Sequence, residues 1–225
     1  MSDSRRGRQI HICFHGVGEP RRPLEPGEDS YWVGVDQFHS LLDGLREWPD
    51  LALSFDDSNQ SDLDIALPAL LDRGLTASFF VIAGRLEDTG SLGPDDVVAL
   101  RDAGMTIGSH GMRHRSWRGM GGATTAEELV EARDVLADVV GRPITEAACP
   151  LGLYDRHALS SLRSAGYAAV FTSDRRWARH GQWLQPRFSV VSSDSVDSLR
   201  RAALDPPSAV RRMRQALVGA AKRLR

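Results

Sequence analysis

The sequence predicts an α/β fold built on a parallel sheet, closed as a barrel or left open. Two observations predict it. Seven short apolar runs recur along the 225 residues, each followed by turn residues and most by a helical pattern. The residues just beyond the runs are ionisable or turn-forming, and in such folds function collects past the carboxyl ends of the strands.

The runs read as buried strands are Gln9–Phe14, Leu51–Phe55, Thr76–Ile82, Met105–Gly108, Glu146–Cys149, Tyr167–Thr172 and Arg187–Val191. Helical segments lie between them. Ser61 can cap a helix ending at Gly74, with Pro68 kinking it or delaying its start. Pro94 suits a first helical position and Gly104 lies past that helix's end. Thr125 and Glu128 have capping-box spacing, with Leu129, Val135, Leu136 and Val139 expected on one face until Gly141 and Pro143 stop the helix. A further helix runs from Asp155 to Ala165, closed by Gly166.

Composition narrows the class of function. Lys+Arg total 28 against 30 Asp+Glu, a formal charge of −2, which argues against bulk nucleic-acid binding. A hydrophobic fraction of 41% with 26% charged residues is ordinary for a soluble globular protein. No apolar run approaches the ~20 residues of a transmembrane helix. The apolar stretch after the basic start ends at Phe14, too short for a signal peptide, so a cytoplasmic protein is expected. Cys13 and Cys149 form neither a disulfide framework nor a metal-type pair. One domain is expected over residues 1–205, followed by a basic helix over 206–225 with six positive and no negative side chains. Packing of its apolar stripe on the domain is favoured over contact with a membrane surface.

The strand ends supply, in order, His15, Asp56-Asp57, Ser109-His110 with His114, Pro150-Leu151-Gly152 and Ser173-Asp174. Histidines four apart can face the same way if the chain turns helically after the strand, and imidazole is a common metal ligand. By itself that pair is more often structural. Adjacent aspartates at a strand end can be a cap and a turn, or can divide labour between a metal ligand and a base. Two histidines, one carboxylate and an open position make a usual catalytic zinc set.

Taken together, Ser54-Phe55-Asp56-Asp57, His110 with His114, Cys149-Pro150-Leu151-Gly152 and Thr76-Ala77-Ser78-Phe79-Phe80-Val81 resemble the polysaccharide deacetylases, the NodB-homology domain of carbohydrate esterase family 4. The resemblance covers roughly residues 9–192. It implies a distorted seven-strand (β/α) barrel that removes acetyl groups from an N-acetylated glycan or glycoconjugate with one divalent metal ion, zinc before cobalt or nickel. It also implies that Asp57, His110 and His114 bind the metal and that Asp56 is the base. The backbone N–H of Leu151 would help hold the oxyanion.

The chain departs from that pattern in two places. Ala148 stands where the family often has an arginine that tunes the base, so Ala148-Cys149-Pro150-Leu151-Gly152 resembles the A-Y-P-Y-G variant of exopolysaccharide-type deacetylases, with both aromatics replaced. The late Leu-x-His motif has no counterpart, since the last histidine is His180. His15 is then the candidate proton donor to the leaving amine. Arg187 could replace the missing arginine or form a surface or interstrand salt bridge. Asp174 could orient the site or close a turn. Trp117, Trp177 and Trp183 could stack on sugar rings or pack the core. The loop Gly16–Asp29 could wall the site, its Arg21-Arg22 meeting an anionic substrate or water. Three rival functions stay open: hydrolysis of another amide at the same centre, a non-catalytic carbohydrate binder, and, less consistent with the spacing of Asp57 and His110, an iron oxygenase.

Overall fold

The computed structural model describes residues 7–205, so the helix expected over 206–225 lies outside the described residues. Six parallel strands pair in sequence order: β1 (Arg8–Phe14), β2 (Leu51–Phe55), β3 (Ala77–Val81), β4 (Thr106–Ser109), β5 (Glu146–Ala148) and β6 (Ala169–Thr172). The chain then descends the outside of the sheet. There β7 (Ala178–Arg179) pairs antiparallel with the start of β1. It returns as β8 (Leu184–Pro186), parallel to β6, and β9 (Phe188–Ser189), parallel to β1. One extended segment, broken at Arg187, thus joins the two edges into a nearly closed barrel. Counting β8 and β9 as that one segment gives the seven-strand circuit expected, with β7 as an addition. The last strand begins at Leu184, three residues before the expected Arg187–Val191, because its first half pairs with β6.

Alternation along the strands separates two interiors. Ile10, Ile12 and Phe14 face the helices, as do Leu53, Phe55, Ala77 and Phe79, and all are buried. Phe14, Phe55 and Phe79 are Cα partners in neighbouring strands, and their rings stack 5.4 Å and 4.8 Å apart. The alternate residues fill the barrel, where Phe80, Ala148 and Phe171 form a small separate cluster. Both faces being covered explains why the strands read as unbroken apolar runs.

The helices are α1 (Val35–Leu45), α2 (Leu67–Leu71), α3 (Pro94–Asp102), α4 (Gly122–Ala126), α5 (Ala132–Val140), α6 (Arg156–Ser164) and α7 (Val196–Ala203). Pro68 begins α2 late, as anticipated, behind a π-helical turn over Asp62–Ala66. Ser61 does not cap it; its hydroxyl accepts from the N–H of Val17. Nor is Thr125 a cap. Gly121 precedes α4, and Glu128 turns inward from a second π-helical turn over Glu127–Glu131. Val135 is exposed, while Ala132, Leu136 and Val140 form the buried face of α5 before Gly141 ends it at φ 66°. Asp155 caps α6 by accepting from the N–H of Ala158.

Candidate metal centre and active-site cleft

The cleft lies at the carboxyl end of the barrel and is lined by residues following five strands: His15, Asp56 and Asp57, His110 and His114, Cys149 to Gly152, and Ser173. Ser189 closes it from β9, and Glu25, Glu28 and Tyr31 wall it from the loop after β1. His15, Asp56, Asp57, His110, His114 and Leu151 are therefore brought together as the motifs suggested.

Asp57 and His114 both sit at positive φ, 76° and 52°, as do Ser58 beside Asp57 and Leu151 in the cleft. Such conformations cost of order 1–3 kcal/mol each and persist where the surroundings impose them. Here they turn the donor atoms together. The Asp57 Oδ1 is 3.4 Å from His110 Nε2 and 3.3 Å from His114 Nε2. Metal–donor bonds of about 2.0–2.2 Å at tetrahedral angles put neighbouring donors roughly 3.3–3.6 Å apart. The observed separations fit. So does the hydrogen bonding: His110 Nδ1 lies 2.9 Å from the carbonyl of Ala148 and His114 Nδ1 lies 2.8 Å from Glu25 Oε2. With each Nδ1–H so directed, both Nε2 atoms present lone pairs towards Asp57. The buried Asp57 Oδ1 has no hydrogen-bond partner among the described residues. These three side chains fit a divalent cation.

Asp56 has a different task. Its carboxylate takes two 2.7 Å bonds from the guanidinium of Arg187, which also donates to Ser54 Oγ at 3.0 Å. Arg187 is wholly buried inside the barrel, 5.1 Å and 5.8 Å from the rings of Phe80 and Phe171. The surface or interstrand salt bridge considered for it is thus replaced by a buried pair with Asp56. Desolvation pushes the Asp56 carboxyl up, Arg187 and then His110 pull it down, and the net shift is downward. Each oxygen keeps a lone pair beyond its bond to arginine. The break between β8 and β9 is what delivers the guanidinium to Asp56.

The His15 ring lies 4.8 Å from that of Tyr31, tilted by 44°, and its Nδ1 is buried without a hydrogen-bond partner among the described residues. Burial draws its pKa below the ordinary 6.5 despite the nearby aspartates. A ring nitrogen of His15 and an Asp56 oxygen lie within 4.8 Å of each other. Cys13 belongs to that same cluster, but burial pushes its thiol up and Arg187 already neutralises Asp56, so no second cation is needed there. Leu151 stands at the mouth, 58% exposed, at φ 57°.

Other candidates lie elsewhere. Asp174 accepts from Tyr154 Oη at 2.6 Å and Thr172 Oγ1 at 3.0 Å, tying the loop after β6 to the loop after β5 behind the cleft wall. Trp177 is not at the site. It packs at the opposite end of the barrel, under Arg8 at 3.9 Å, with its indole donating to the carbonyl of Ala203, because β7 carries it down beside the start of β1. Trp183 donates to the carbonyl of Tyr167, and Trp117 is fully buried. Arg21 pairs with Asp64, and Arg22 is clamped by Glu28 and Asn59 instead of facing substrate or water. Glu25, Glu28, Tyr31 and Glu128 were missed by the sequence reading. The Pro- and Gly-rich loop was the only signal for the first two, and Tyr31 lies just beyond it.

The barrel thus aims two imidazoles and a carboxylate at one point, beside a second, arginine-held carboxylate. The sequence model for polysaccharide deacetylase matches residues 46–170, and the chain belongs to that family. It is 21% identical over 122 residues to YxkH of Bacillus subtilis (strain 168), an alignment covering 54% of this chain and 44% of that protein. The chain thus spans less than half the length of that curated relative. Among solved structures, the Streptococcus pyogenes deacetylase PplD in complex with acetate superposes with TM-score 0.75 at 18% identity, over 88% of this chain and 99% of that one. IcaB from Ammonifex degensii gives TM-score 0.70 at 21% identity, over 86% and 95%. These likenesses show the shared barrel.

Proposed function

We propose that this protein is a metal-dependent hydrolase that removes the acetyl group from an N-acetylated sugar in a glycan or glycoconjugate. The convergence of Asp57 Oδ1 with the Nε2 atoms of His110 and His114, each imidazole fixed through its Nδ1, carries this reading. A divalent cation held there, zinc or else cobalt or nickel, supplies Lewis acidity towards the acetamide carbonyl and the attacking water.

The chain's own groups divide the remaining work. Asp56, ionised beside Arg187, accepts the proton of the attacking water through the lone pairs the guanidinium leaves free. The N–H of Leu151 donates to the oxyanion as the carbonyl carbon becomes tetrahedral. His15 hands a proton to the departing amine. Burial keeps it neutral near neutral pH, so the proton must reach it during turnover, and Asp56 lies within 4.8 Å to supply it. His180, exposed and 3.7 Å from Asp50, is far from this chemistry. Tyr31 and Leu151 give the cleft an apolar lip suited to a sugar face, the part once considered for Trp177.

The test is acetate release from N-acetylglucosamine oligomers and nucleotide-linked N-acetyl sugars by chelated and by zinc- or cobalt-loaded protein. Metal-dependent acetate that disappears in Asp56→Asn is expected. Metal-loaded protein that yields no acetate from any of them turns the reading towards another amide or a non-catalytic sugar binder.

A further inference from the structure

Glu25 stands 32 positions before Asp57, on the loop joining β1 to α1, yet its carboxylate lies in the cleft against a proposed ligand. Its Oε2 is 2.8 Å from His114 Nδ1, while Oε1 is paired with the guanidinium of Arg85 from the segment after β3. The loop has further anchors. Arg22 donates to Glu28 and to Asn59 Oδ1, the latter at 2.8 Å and 3.1 Å, and Asn59 lies two residues beyond Asp57. Glu28 in turn accepts from the N–H of Glu25 at 2.8 Å. The loop is therefore fastened to the strand end that carries Asp57 and, through Glu25, to His114.

His114 needs this support more than His110 does. His110 directly follows β4, and its Nδ1 meets the carbonyl of Ala148 on the adjoining strand. His114 lies five residues past β4, in a loop, at φ 52°. Among the described residues its ring nitrogens meet only side chains, Glu25 and Asp57. Its orientation rests on a side chain delivered from 89 positions away.

We propose that Glu25 is a positioning residue for metal binding: it accepts the Nδ1–H of His114, fixes that imidazole with Nε2 towards Asp57, and makes cation affinity depend on the seating of the β1–α1 loop. This rests on the metal-site reading above. A carboxylate behind a ligating histidine fixes tautomer and ring orientation, and its removal typically weakens metal binding by about 10–100-fold.

The experiment titrates Zn²⁺ into metal-stripped wild type, Glu25→Gln and Glu25→Ala in competition with a chromophoric chelator. Electronic absorption of Co²⁺ bound to each reports ligand geometry. Glu25→Ala should bind Zn²⁺ about 10–100-fold more weakly and change the Co²⁺ spectrum. Glu25→Gln keeps an acceptor oxygen but no charge, and should fall between, about threefold or more below wild type. Thermal melting of the metal-free proteins guards against a folding artefact, and if Glu25→Ala does not fold, Glu25→Gln decides. Wild-type affinity in the folded variants overturns the role of Glu25 alone. A wild-type protein that takes up no stoichiometric Zn²⁺ overturns the metal-site reading, and this role with it.

Discussion

Asp56 and Arg187 form a buried charge pair whose two members depend on each other. Removing one partner of such a pair leaves an uncompensated charge and typically destabilises by about 3–5 kcal/mol. Arg187→Met should therefore lower stability by about that amount in urea unfolding. It should also move the acid limb of the rate profile up. Arg187 holds the Asp56 carboxyl down, so without it the base is protonated at higher pH and activity is lost earlier on acidification. Arg187→Lys keeps charge without the two-point fork and should lie between. An acid limb that stays put in Arg187→Met would detach the arginine from the base. Asp56→Asn should retain the metal and lose turnover, whereas His110→Ala and His114→Ala should lose stoichiometric metal, read by elemental analysis after gel filtration. His15→Ala should lower kcat by roughly 10²–10⁴-fold, the range of acid–base catalysis. An unchanged rate would leave His15 a structural residue.

The segment from His110 to His114 owes its shape to its neighbours. Below it, the N–H groups of Ala83 and Gly84 donate to the carbonyls of Gly111 and Met112 at 2.9 Å and 3.0 Å. Above it, buried Glu128 accepts from the N–H groups of Met112 and Arg113 at 3.0 Å and 3.2 Å. A Cβ at Gly111, where φ is 80°, would meet Glu128 Oε2 at 2.3 Å. Gly111→Ala should thus dislodge the turn and weaken metal binding about tenfold or more, measured by chelator competition, a loss like that of other groups orienting a ligand. Glu128→Ala should destabilise by about 1–3 kcal/mol per N–H left unpaired, measured by urea unfolding. Histidine spacing and strand ends made the ligands legible in sequence, because those signals are local. Glu128 was misread as a capping-box partner of Thr125. Spacing gives proximity along a helix, but not that a loop from another strand needs an acceptor there. Arg187 was legible as a candidate and not as a barrel residue, since the break between β8 and β9 depends on pairing with both sheet edges.

Across the whole molecule, the parallel barrel was legible because strands covered on both faces must be apolar throughout, and six of the seven runs match strands in place. What the reading could not reach lies in long-range geometry: the path of β7, which removes Trp177 from the cleft, and the loop that brings Glu25 into it. The barrel interior also holds His11, buried edge-on against Phe171 at 5.3 Å, with its pKa pulled by burial from 6.5 to about 4. The folded state resists protonation there while the unfolded chain accepts it. Stability from this group is therefore complete above about pH 6.5 and lost as pH falls towards 4, by about 3 kcal/mol in all. Unfolding free energy followed from pH 7 to pH 4 should fall more steeply in wild type than in His11→Gln; parallel curves would contradict it.

Every role proposed above depends on metal-dependent amide hydrolysis at Asp56, Asp57, His110 and His114. Its most direct test is acetate release from N-acetylated sugars, followed while a chelator removes the metal and zinc restores it, with Asp56→Asn alongside. Release should stop with chelation, return with zinc and be lost in Asp56→Asn despite bound metal. Release that ignores the chelator, or persists in Asp56→Asn, would contradict it.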